Sequence, residues 1–249
     1  MVGGDLARYL KPHFEEIVGI NKENYEKYQG NSFDVVINAN GNSNKIWAQG
    51  NILGDFEAST ASVYKTLLDF TFETYIYVSS SDVYENHSSE EFTLEKDPIN
   101  FSKLTPYGFH KFLSECIIKN FTKSHIILRC PMMLGTNLKK GPIYDILNGS
   151  RLFISKYSSF QMITTGELAQ IIYALLDKNI TQEVFNVGGK GTVLLSEVMK
   201  YVDKPVSITK NGNIQIYATD ISKLNKIYPL KTSEQYLKDF LKNYIMLKS

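Results

Sequence analysis

The stretch Thr105-Pro106-Tyr107-Gly108-Phe109-His110-Lys111 predicts the start of a helix that carries a reactive tyrosine. Thr105 can cap this helix, and Pro106 suits its first turn. Tyr107 and Lys111 are four residues apart, so their side chains share one face of the helix. At about 5 Å and an effective dielectric constant of about 20, the lysine charge contributes about 3 kcal/mol, which lowers the phenol pKa of about 10 by roughly two units. Such a tyrosine can exchange a proton with a sugar or alcohol oxygen.

A second segment, upstream of this helix, predicts a buried strand that ends in a polar cluster. Residues 75–84 read Tyr-Ile-Tyr-Val-Ser-Ser-Ser-Asp-Val-Tyr, which is typical of a strand that leads into a loop. Ligands of open α/β sheets bind just beyond the carboxyl ends of the strands, where these serines and the aspartate would lie. Two alternatives stay open at this point. The serines could simply cap the next turn, and Tyr107 could be a surface residue beside a solvated lysine.

Helix and strand patterns alternate along the chain and predict an α/β fold. Val35, Val36 and Ile37 form a continuous apolar run, as expected for a strand that is covered on both faces. Alternation of this kind favours a parallel sheet covered by helices, and only residues 131–160 and 190–230 do not fit it. The predicted strands span residues 16–20, 33–38, 75–79, 125–129 and 183–187, and the predicted helices span 4–13, 52–70, 106–121 and 167–177.

Six segments occur in an order that is typical of one enzyme family. The serine-rich strand is similar to a Ser-Ser-x-x-Val-Tyr motif, and residues 105–111 are similar to a Ser-Pro-Tyr-Gly-x-x-Lys motif. Both motifs belong to the extended short-chain dehydrogenase/reductase family, and the chain resembles its nucleotide-sugar epimerases, dehydratases and reductases from about residue 1 to about residue 245. The other similar segments are residues 127–131, 164–169, 184–189 and 218–224.

The resemblance implies a Rossmann-like, doubly wound parallel sheet with a smaller C-terminal substrate lobe. Residues 1–130 plus about 161–190 would form the cofactor-binding domain. Residues of about 131–160 plus 191–249 would form the substrate-binding lobe. Family members commonly pair as homodimers through the catalytic helix and the helix before it, and we carry that over as an expectation.

Composition fits a soluble enzyme. The 249 residues can bury a full core in one or two lobes, and the net charge of +1 does not indicate a nucleic-acid or membrane partner. The two cysteines, Cys116 and Cys130, give no disulfide framework, and we predict no metal site. Without a recognisable signal peptide or a long apolar run, the chain is predicted to be cytoplasmic.

The start of the chain departs from the family pattern. A dinucleotide fold normally opens with a strand and a glycine-rich turn, whereas Met1-Val2-Gly3-Gly4 resembles only the end of that turn. Gly3 would be its last glycine and a cofactor-binding residue. The chain could be a fragment, its start could be assigned too late, or the fold could have reorganised and lost dinucleotide binding. We prefer a missing N-terminal piece.

The resemblance implies NAD or NADP as the cofactor. After the second predicted strand the family usually places an acid that binds the ribose diol of NAD, but Asn21 stands here. Lys22 could face a 2′-phosphate, which would favour NADP, or could be a solvated loop lysine. Ala39 and Asn40 would pass near the cofactor, and Ser59 replaces an asparagine that often braces the active site.

The resemblance also assigns roles at the active site. Tyr107 would be the acid/base, and Lys111 would lower its pKa and hold the nicotinamide ribose. Ser80 would hydrogen-bond the reacting sugar oxygen. Asp82 stands where the dehydratases carry a glutamate, and Ser81 replaces the aspartate that precedes it. A dehydratase needs an acid to expel a hydroxyl group as water, so this change counts against dehydration.

The substrate side keeps few of the family's residues. Met132 stands where an asparagine often touches the nucleotide-sugar. An arginine that binds the diphosphate is expected near Phe160, and another near Lys210, but neither is present. Lys210 can attract phosphate without the bidentate fork of arginine. A nucleotide-sugar therefore remains the expected small-molecule partner.

Two classes of function follow from these observations. The first is an NAD(P)-dependent nucleotide-sugar epimerase or 4-keto-sugar reductase in cell-surface polysaccharide synthesis, with a dehydratase as a further alternative. Tyr107, Lys111 and Ser80 favour this class. The second is a catalytically silent relative that binds a ligand or a partner, which the incomplete glycine turn and the missing arginines favour.

Overall fold

A parallel sheet forms the centre of the molecule. The computed structural model describes residues 2–202, 205–210 and 212–246. The strands of these residues are β1 (Ser32–Asn38), β2 (Thr71–Ser80), β3 (His125–Cys130), β4 (Met132–Leu134), β5 (Ser159–Phe160), β6 (Met162–Thr164), β7 (Glu183–Asn186), β8 (Val193–Leu194) and β9 (Ile216–Tyr217).

Helices cover this sheet and connect its strands. They include a π-helical segment at Glu57–Ala61, which continues α4 into α5. No helix of the described residues is long and apolar enough to span a membrane. The α-helices are α1 (Val2–Leu10), α2 (Tyr25–Tyr28), α3 (Lys45–Gly50), α4 (Ile52–Phe56), α5 (Ser62–Asp69), α6 (Pro106–Phe121), α7 (Pro142–Leu147), α8 (Thr165–Asp177), α9 (Leu195–Val198), α10 (Ser222–Asn225) and α11 (Ser233–Met246).

The central sheet has the strand order β1-β2-β3-β7, and each neighbouring pair is parallel. Asn38 is opposite Tyr77, and Ser80 is opposite Cys130. Because all four strands run the same way, their carboxyl ends meet at one edge, as ligand sites of α/β sheets require. The predicted Rossmann-like fold is therefore confirmed, and four of the five predicted strands lie in this sheet.

The predicted strand at residues 16–20 is wrong. These residues have no sheet partner, and β1 is the edge strand of the central sheet. A strand is defined by its ladder of hydrogen bonds, so a β-prone segment without a neighbour stays irregular. Val35 and Ile37 pack against one core cluster and Val36 against another, so both faces of β1 are covered as predicted. The edge position explains why the three residues are only half-buried.

The long helices agree closely with their predicted positions. The prediction for 106–121 matches α6, and that for 167–177 differs from α8 by two residues at one end. The predicted helix at 4–13 ends as α1 at Leu10, and Lys11–His13 continue it as a 3₁₀ turn. Leu6 and Leu10 are buried in the main core, where α1 packs against α8.

A second hydrophobic cluster lies on the substrate side. It contains residues from α7, the three-stranded sheet β8-β5-β9 and α11. The sheet β4-β6 adds Leu134 and Met162 to the same cluster. The exact boundaries between the two predicted lobes stay a prediction.

Candidate active site

The start of α6 places Tyr107 beside the carboxyl end of β2. Oγ1 of Thr105 accepts a hydrogen bond from the amide of Gly108 at 3.3 Å, and Pro106 occupies the first turn, as the sequence predicted. A Cβ on Gly108 would collide with the carbonyl oxygen of Asp82. The missing side chain therefore allows α6 to approach the serine-rich turn closely.

The phenol of Tyr107 is buried, and its pKa is raised rather than lowered. Burial is the largest cause, because it disfavours the phenolate. Lys111 lowers the pKa, Asp82 raises it, and Lys45 together with a hydrogen bond from Ser80 lowers it again. The sequence predicted the effect of Lys111 but not that burial would outweigh it.

The ammonium group of Lys111 is buried below Tyr107 and points towards β2. Its Nζ donates to the carbonyl oxygen of Val78 at 3.3 Å and lies 4.9 Å from the ring centroid of Tyr77. Only 5% of the lysine is exposed. This ammonium has one backbone acceptor, so it can donate further hydrogen bonds to a ligand, because an ammonium has three donors.

Ser80 and Asp82 form a hydrogen-bonded pair at the end of β2. Oγ of Ser80 donates to Oδ2 of Asp82 at 2.8 Å. Burial alone would raise the pKa of Asp82, but the charge of Lys45, with hydrogen bonds from Lys45 and Ser80, holds it below its ordinary value. Asp82 is therefore a carboxylate at neutral pH. Ser81 is buried in the same turn.

Three residues of this site were not predicted from the sequence. Lys45 lies 2.7 Å from Oδ1 of Asp82, and the hydroxyl of Tyr217 donates to the same oxygen at 3.0 Å. His87 stacks on Tyr217 with ring centroids 3.7 Å apart. These residues come from separate segments with no shared motif, so the sequence carries no local signal for their meeting.

A buried network of ion pairs and hydrogen bonds lies next to the site and connects the elements that form it. Nη2 of Arg129 on β3 lies 2.8 Å from Oε2 of Glu115 on α6, and Ser79 donates to the other carboxylate oxygen at 2.6 Å. Nη1 of Arg129 donates to the hydroxyl of Tyr84 at 2.8 Å, and this hydroxyl donates to Oδ1 of Asn186 at 2.9 Å. The network joins the catalytic helix to the carboxyl ends of β2, β3 and β7.

His110 forms a buried contact between helices. Its Nδ1 lies 2.6 Å from Oδ2 of Asp55, and both side chains are buried. Oδ1 of Asp55 accepts a hydrogen bond from Asn42 at 2.8 Å. The pair thus joins α4, α6 and the loop after β1, and it holds the helices that frame the site.

Part of the predicted cofactor set lies around the loop after β1. The amide of Asn40 donates to Oδ1 of Asn38 at 2.8 Å, directly beyond Ala39, and Oγ of Ser59 accepts from the amide of Asn42 at 3.3 Å. Hydrogen bonds of the described residues do not link this loop to the remaining predicted cofactor residues. These are Gly3 in α1 and the exposed Asn21 and Lys22.

Of the predicted substrate residues, Ser81 lies in the turn after β2, whereas Met132 and Lys210 lie outside the central sheet. Met132 is half-buried at the start of β4. Lys210 is exposed and lines a shallow pocket with Lys156 and Tyr157. Phe160, near the position where an arginine was expected, stacks on Tyr217 with ring centroids 5.3 Å apart.

With this fold and site in view, the comparisons with known proteins identify the class. Residues 1–188 match the model of the NAD dependent epimerase/dehydratase family. The chain belongs to this family, as the resemblance of its motifs indicated. A search of curated proteins finds no match.

Solved structures with the same fold include several enzymes that act on nucleotide-sugars. UDP-glucuronic acid 4-epimerase from Bacillus cereus, in complex with UDP-glucuronic acid and NAD, is 19% identical with a TM-score of 0.68, over 87% of this chain and 76% of that chain. RMD from Pseudomonas aeruginosa, complexed with NADPH, is 17% identical with a TM-score of 0.69, over 85% and 81%.

A third structure is UDP-N-acetylglucosamine 4-epimerase from Methanobrevibacter ruminantium M1 in complex with UDP-N-acetylmuramic acid. It is 17% identical with a TM-score of 0.68, over 87% of this chain and 77% of that chain. At these identities the three structures show the shared fold. The family is NAD-dependent, and the first two of these structures contain NAD or NADPH, which agrees with the predicted cofactor.

The surroundings of Lys111 fit the nicotinamide end of such a cofactor. A Cβ at Gly41, whose φ is +123°, would lie 3.2 Å from Nζ of Lys111 and 3.4 Å from Oγ of Ser59. A side chain at this position would therefore crowd the buried ammonium, and the glycine leaves that space clear. At the other end, Oδ1 of Asn21 accepts hydrogen bonds from its own turn, so it is already engaged.

Proposed function

We propose that this protein is an NAD(P)-dependent nucleotide-sugar epimerase or 4-keto-sugar reductase that acts in the cytoplasmic synthesis of cell-surface polysaccharide. The observation that carries the proposal is the meeting of Tyr107, Ser80 and Lys111 at the carboxyl end of β2. Membership of the family supports the reaction class, and the UDP-sugar complexes of the similar structures support the substrate class.

The three side chains have complementary tasks in this reaction. NAD or NADP would supply the hydride acceptor or donor for a carbon of the sugar, with Lys111 placed to hold its nicotinamide ribose. Tyr107 removes the proton from the sugar hydroxyl in the oxidative direction and returns it to the carbonyl oxygen in the reductive direction. Ser80 would rotate its one hydroxyl proton from Asp82 to the same oxygen, and Lys111 stabilises the phenolate that forms.

The charge of Asp82 favours epimerisation or reduction over dehydration. A dehydratase must donate a proton to the departing hydroxyl group, so it needs a protonated acid beside the sugar. Lys45 and Ser80 hold the pKa of Asp82 below its ordinary value, although burial alone would raise it. The carboxylate is therefore an acceptor of hydrogen bonds and not a proton donor at neutral pH.

Replacement of Tyr107 tests the proposal. Tyr107→Phe removes the proton donor and acceptor but keeps the ring, so we expect turnover of a UDP-sugar to fall by about 10²–10⁴-fold while cofactor affinity stays within a few-fold. Conversion of UDP-glucose or UDP-glucuronic acid is followed by NMR with NAD or NADPH added. Tyr64→Phe, on the half-exposed face of α5, is the matched control. Equal turnover in the native and Tyr107→Phe proteins would disprove the mechanism.

The silent-relative alternative has its own supporting observations. The edge position of β1 and the exposed Asn21 and Lys22 leave the adenosine end of the cofactor site weakly defined. A titration with NADH and with NADPH, read by the emission of Trp47 on α3, separates the two proposals. Micromolar binding supports the enzyme, and the preferred nucleotide decides the role of Lys22. Absence of binding to either favours the silent relative.

We also propose that the protein pairs as a homodimer through α6 and the helices α4 and α5. Large apolar side chains are exposed on these helices, which is unusual for the free surface of a monomer. They are Ile52, Leu53, Phe56, Tyr64 and Leu68 on α4 and α5 and Phe109 and Phe121 on α6.

A further inference from the structure

Asp82 is the meeting point of three parts of the chain that are distant in sequence. Its Oδ1 accepts hydrogen bonds from Lys45 at 2.7 Å and from Tyr217 at 3.0 Å, and its Oδ2 accepts from Ser80 at 2.8 Å. Lys45 also donates to the hydroxyl of Tyr217 at 2.8 Å. Lys45 begins α3 and Tyr217 ends β9, so a cofactor-side helix and a substrate-side strand reach the same carboxylate.

Tyr217 is held in place because its ring stacks on two other rings. Its centroid lies 3.7 Å from that of His87 at an interplanar angle of 17°, and 5.3 Å from that of Phe160 at 14°. Nζ of Lys45 lies 4.4 Å from the same centroid. A side chain that is already ordered by stacking loses little further freedom when its hydroxyl forms a hydrogen bond.

The two oxygens of Asp82 differ in what they can still accept. A carboxylate has about four acceptor positions, two on each oxygen. Lys45 and Tyr217 fill those of Oδ1, whereas Ser80 fills one of the two on Oδ2. Gly108, next to Tyr107, packs against the backbone of Asp82, and the charge of Asp82 acts on the phenol, so the two groups are close. Oδ2 therefore has one acceptor position near the phenol that Ser80 does not fill.

Other charged and titratable groups face this carboxylate. The positive charge of Lys45 is 45% exposed at the edge of the site, so solvent can reach it. Burial lowers the pKa of His87, which keeps its ring neutral at pH 7. Besides Lys45, the groups that face Asp82 are His87, Tyr107 and Tyr217, with Lys111 behind Tyr107.

We propose that Lys45 and Tyr217 are positioning residues that hold Asp82 as a carboxylate, so that its Oδ2 accepts a hydrogen bond from a sugar hydroxyl next to the atom on which Tyr107 acts. This inference rests on the proposed function, because it needs a sugar beside Tyr107. The proposed contact predicts that the site prefers sugars with a hydroxyl group next to the reacting atom. A hydrogen bond to a charged acceptor contributes more than a neutral one, so this contact discriminates against deoxygenated sugars.

The ionisation of Asp82 tests the role of Lys45 without substrate or cofactor. The protein is labelled with ¹³C at the aspartate carboxyl carbons, and each carboxyl signal is followed by NMR as the pH changes. The signal of Asp82 is assigned as the one that is absent from the spectrum of Asp82→Asn. In the native protein we expect this signal to titrate below the ordinary aspartate range. In Lys45→Met its midpoint should move to higher pH, because less positive charge opposes the effect of burial. In Lys45→Arg the midpoint should return towards its native position. Lys65→Met is the matched control, since Lys65 pairs with Asp69 on the surface. An unchanged midpoint in Lys45→Met overturns the proposal.

Binding of UDP-glucose, followed by the emission of Trp47, tests the contact with the sugar. We expect Asp82→Asn, Lys45→Met and Tyr217→Phe to weaken binding by about tenfold or more, and Lys45→Arg to restore most of it. Equal affinity in all variants overturns the sugar contact. Failure of the native protein to bind any UDP-sugar counts against the proposed function instead, and the carboxyl titration still decides whether Lys45 acts on Asp82.

Discussion

At Tyr107, burial and a nearby ammonium act on one phenol in opposite directions. Burial raises its pKa, and Lys111 opposes this without cancelling it. The resting enzyme therefore keeps the phenol protonated, which is the form that a carbonyl substrate requires. A hydroxyl substrate needs the phenolate, and the positive charge of a bound oxidised nicotinamide favours that form.

We expect Lys111→Met to move the acidic limb of sugar oxidation to higher pH. Lys111 lowers the pKa of Tyr107, so its loss raises that pKa further and leaves less phenolate at any given pH. Turnover at pH 7, measured at saturating cofactor, should fall by at least about tenfold and recover at higher pH. Lys111→Arg keeps the charge and should restore part of the activity. A profile of unchanged shape in Lys111→Met would show that this charge does not control the phenol.

Residues that belong to a local motif could be predicted from the sequence, whereas those that meet through folding could not. Tyr107 and Lys111 are one helical turn apart, and Ser80 lies at the end of a strand. The local sequence was therefore sufficient to predict that these residues belong to the site. Lys45 and Tyr217 are 172 positions apart, and only the packed molecule brings them to Asp82. The roles of the predicted residues stay predictions until the variants are measured.

At the scale of elements, the approach of α6 to the turn after β2 depends on one glycine. Gly108→Ala would place a Cβ against the carbonyl oxygen of Asp82, and backbone on both sides leaves little room for a shift. We expect a loss of about 1–3 kcal/mol in the free energy of unfolding, as in other overpacked sites, and a fall in kcat because Tyr107 moves with the helix. Urea denaturation and the UDP-sugar assay measure the two effects.

Gly50→Ala is the matched control for this substitution. A Cβ on Gly50, near the end of α3, would meet no atom within 4 Å, and alanine favours the helix. We expect its stability to be equal to or above that of the native protein. A Gly108→Ala protein that is as stable and as active as Gly50→Ala would contradict the close approach of α6.

Elements with a strong local pattern were predicted well, and those that depend on a neighbour were not. The caps and apolar periodicity of α6 define its ends without reference to the rest of the chain. Residues 16–20 have a strand-like composition but no partner to complete a ladder, so they stay irregular. The π-helical segment at Glu57–Ala61 also has no sequence signal, and it lies where Ser59 contacts the loop after β1.

At the scale of the whole molecule, the exposed apolar face of α4, α5 and α6 predicts a dimer. Leu53 is 68% exposed on α4, and a charge there would be buried against the partner in the assembled dimer. We expect the native protein to have the mass of two chains by light scattering and Leu53→Glu to have the mass of one. Ile214→Glu, at a 61% exposed position on the substrate side, should remain a dimer. A native protein with the mass of one chain would refute this assembly.

The contacts around Asp82 form in a fixed order during synthesis of the polypeptide. Ser80, Tyr107 and Lys111 leave the ribosome well before Tyr217, so a nascent chain can form the central sheet and the catalytic helix while the Asp82 carboxylate still lacks its aromatic partner. The last of these contacts closes only when β9 has been synthesised and docked. The Asp82 cluster is therefore completed only late in synthesis, after the residues of β2 and α6 have emerged.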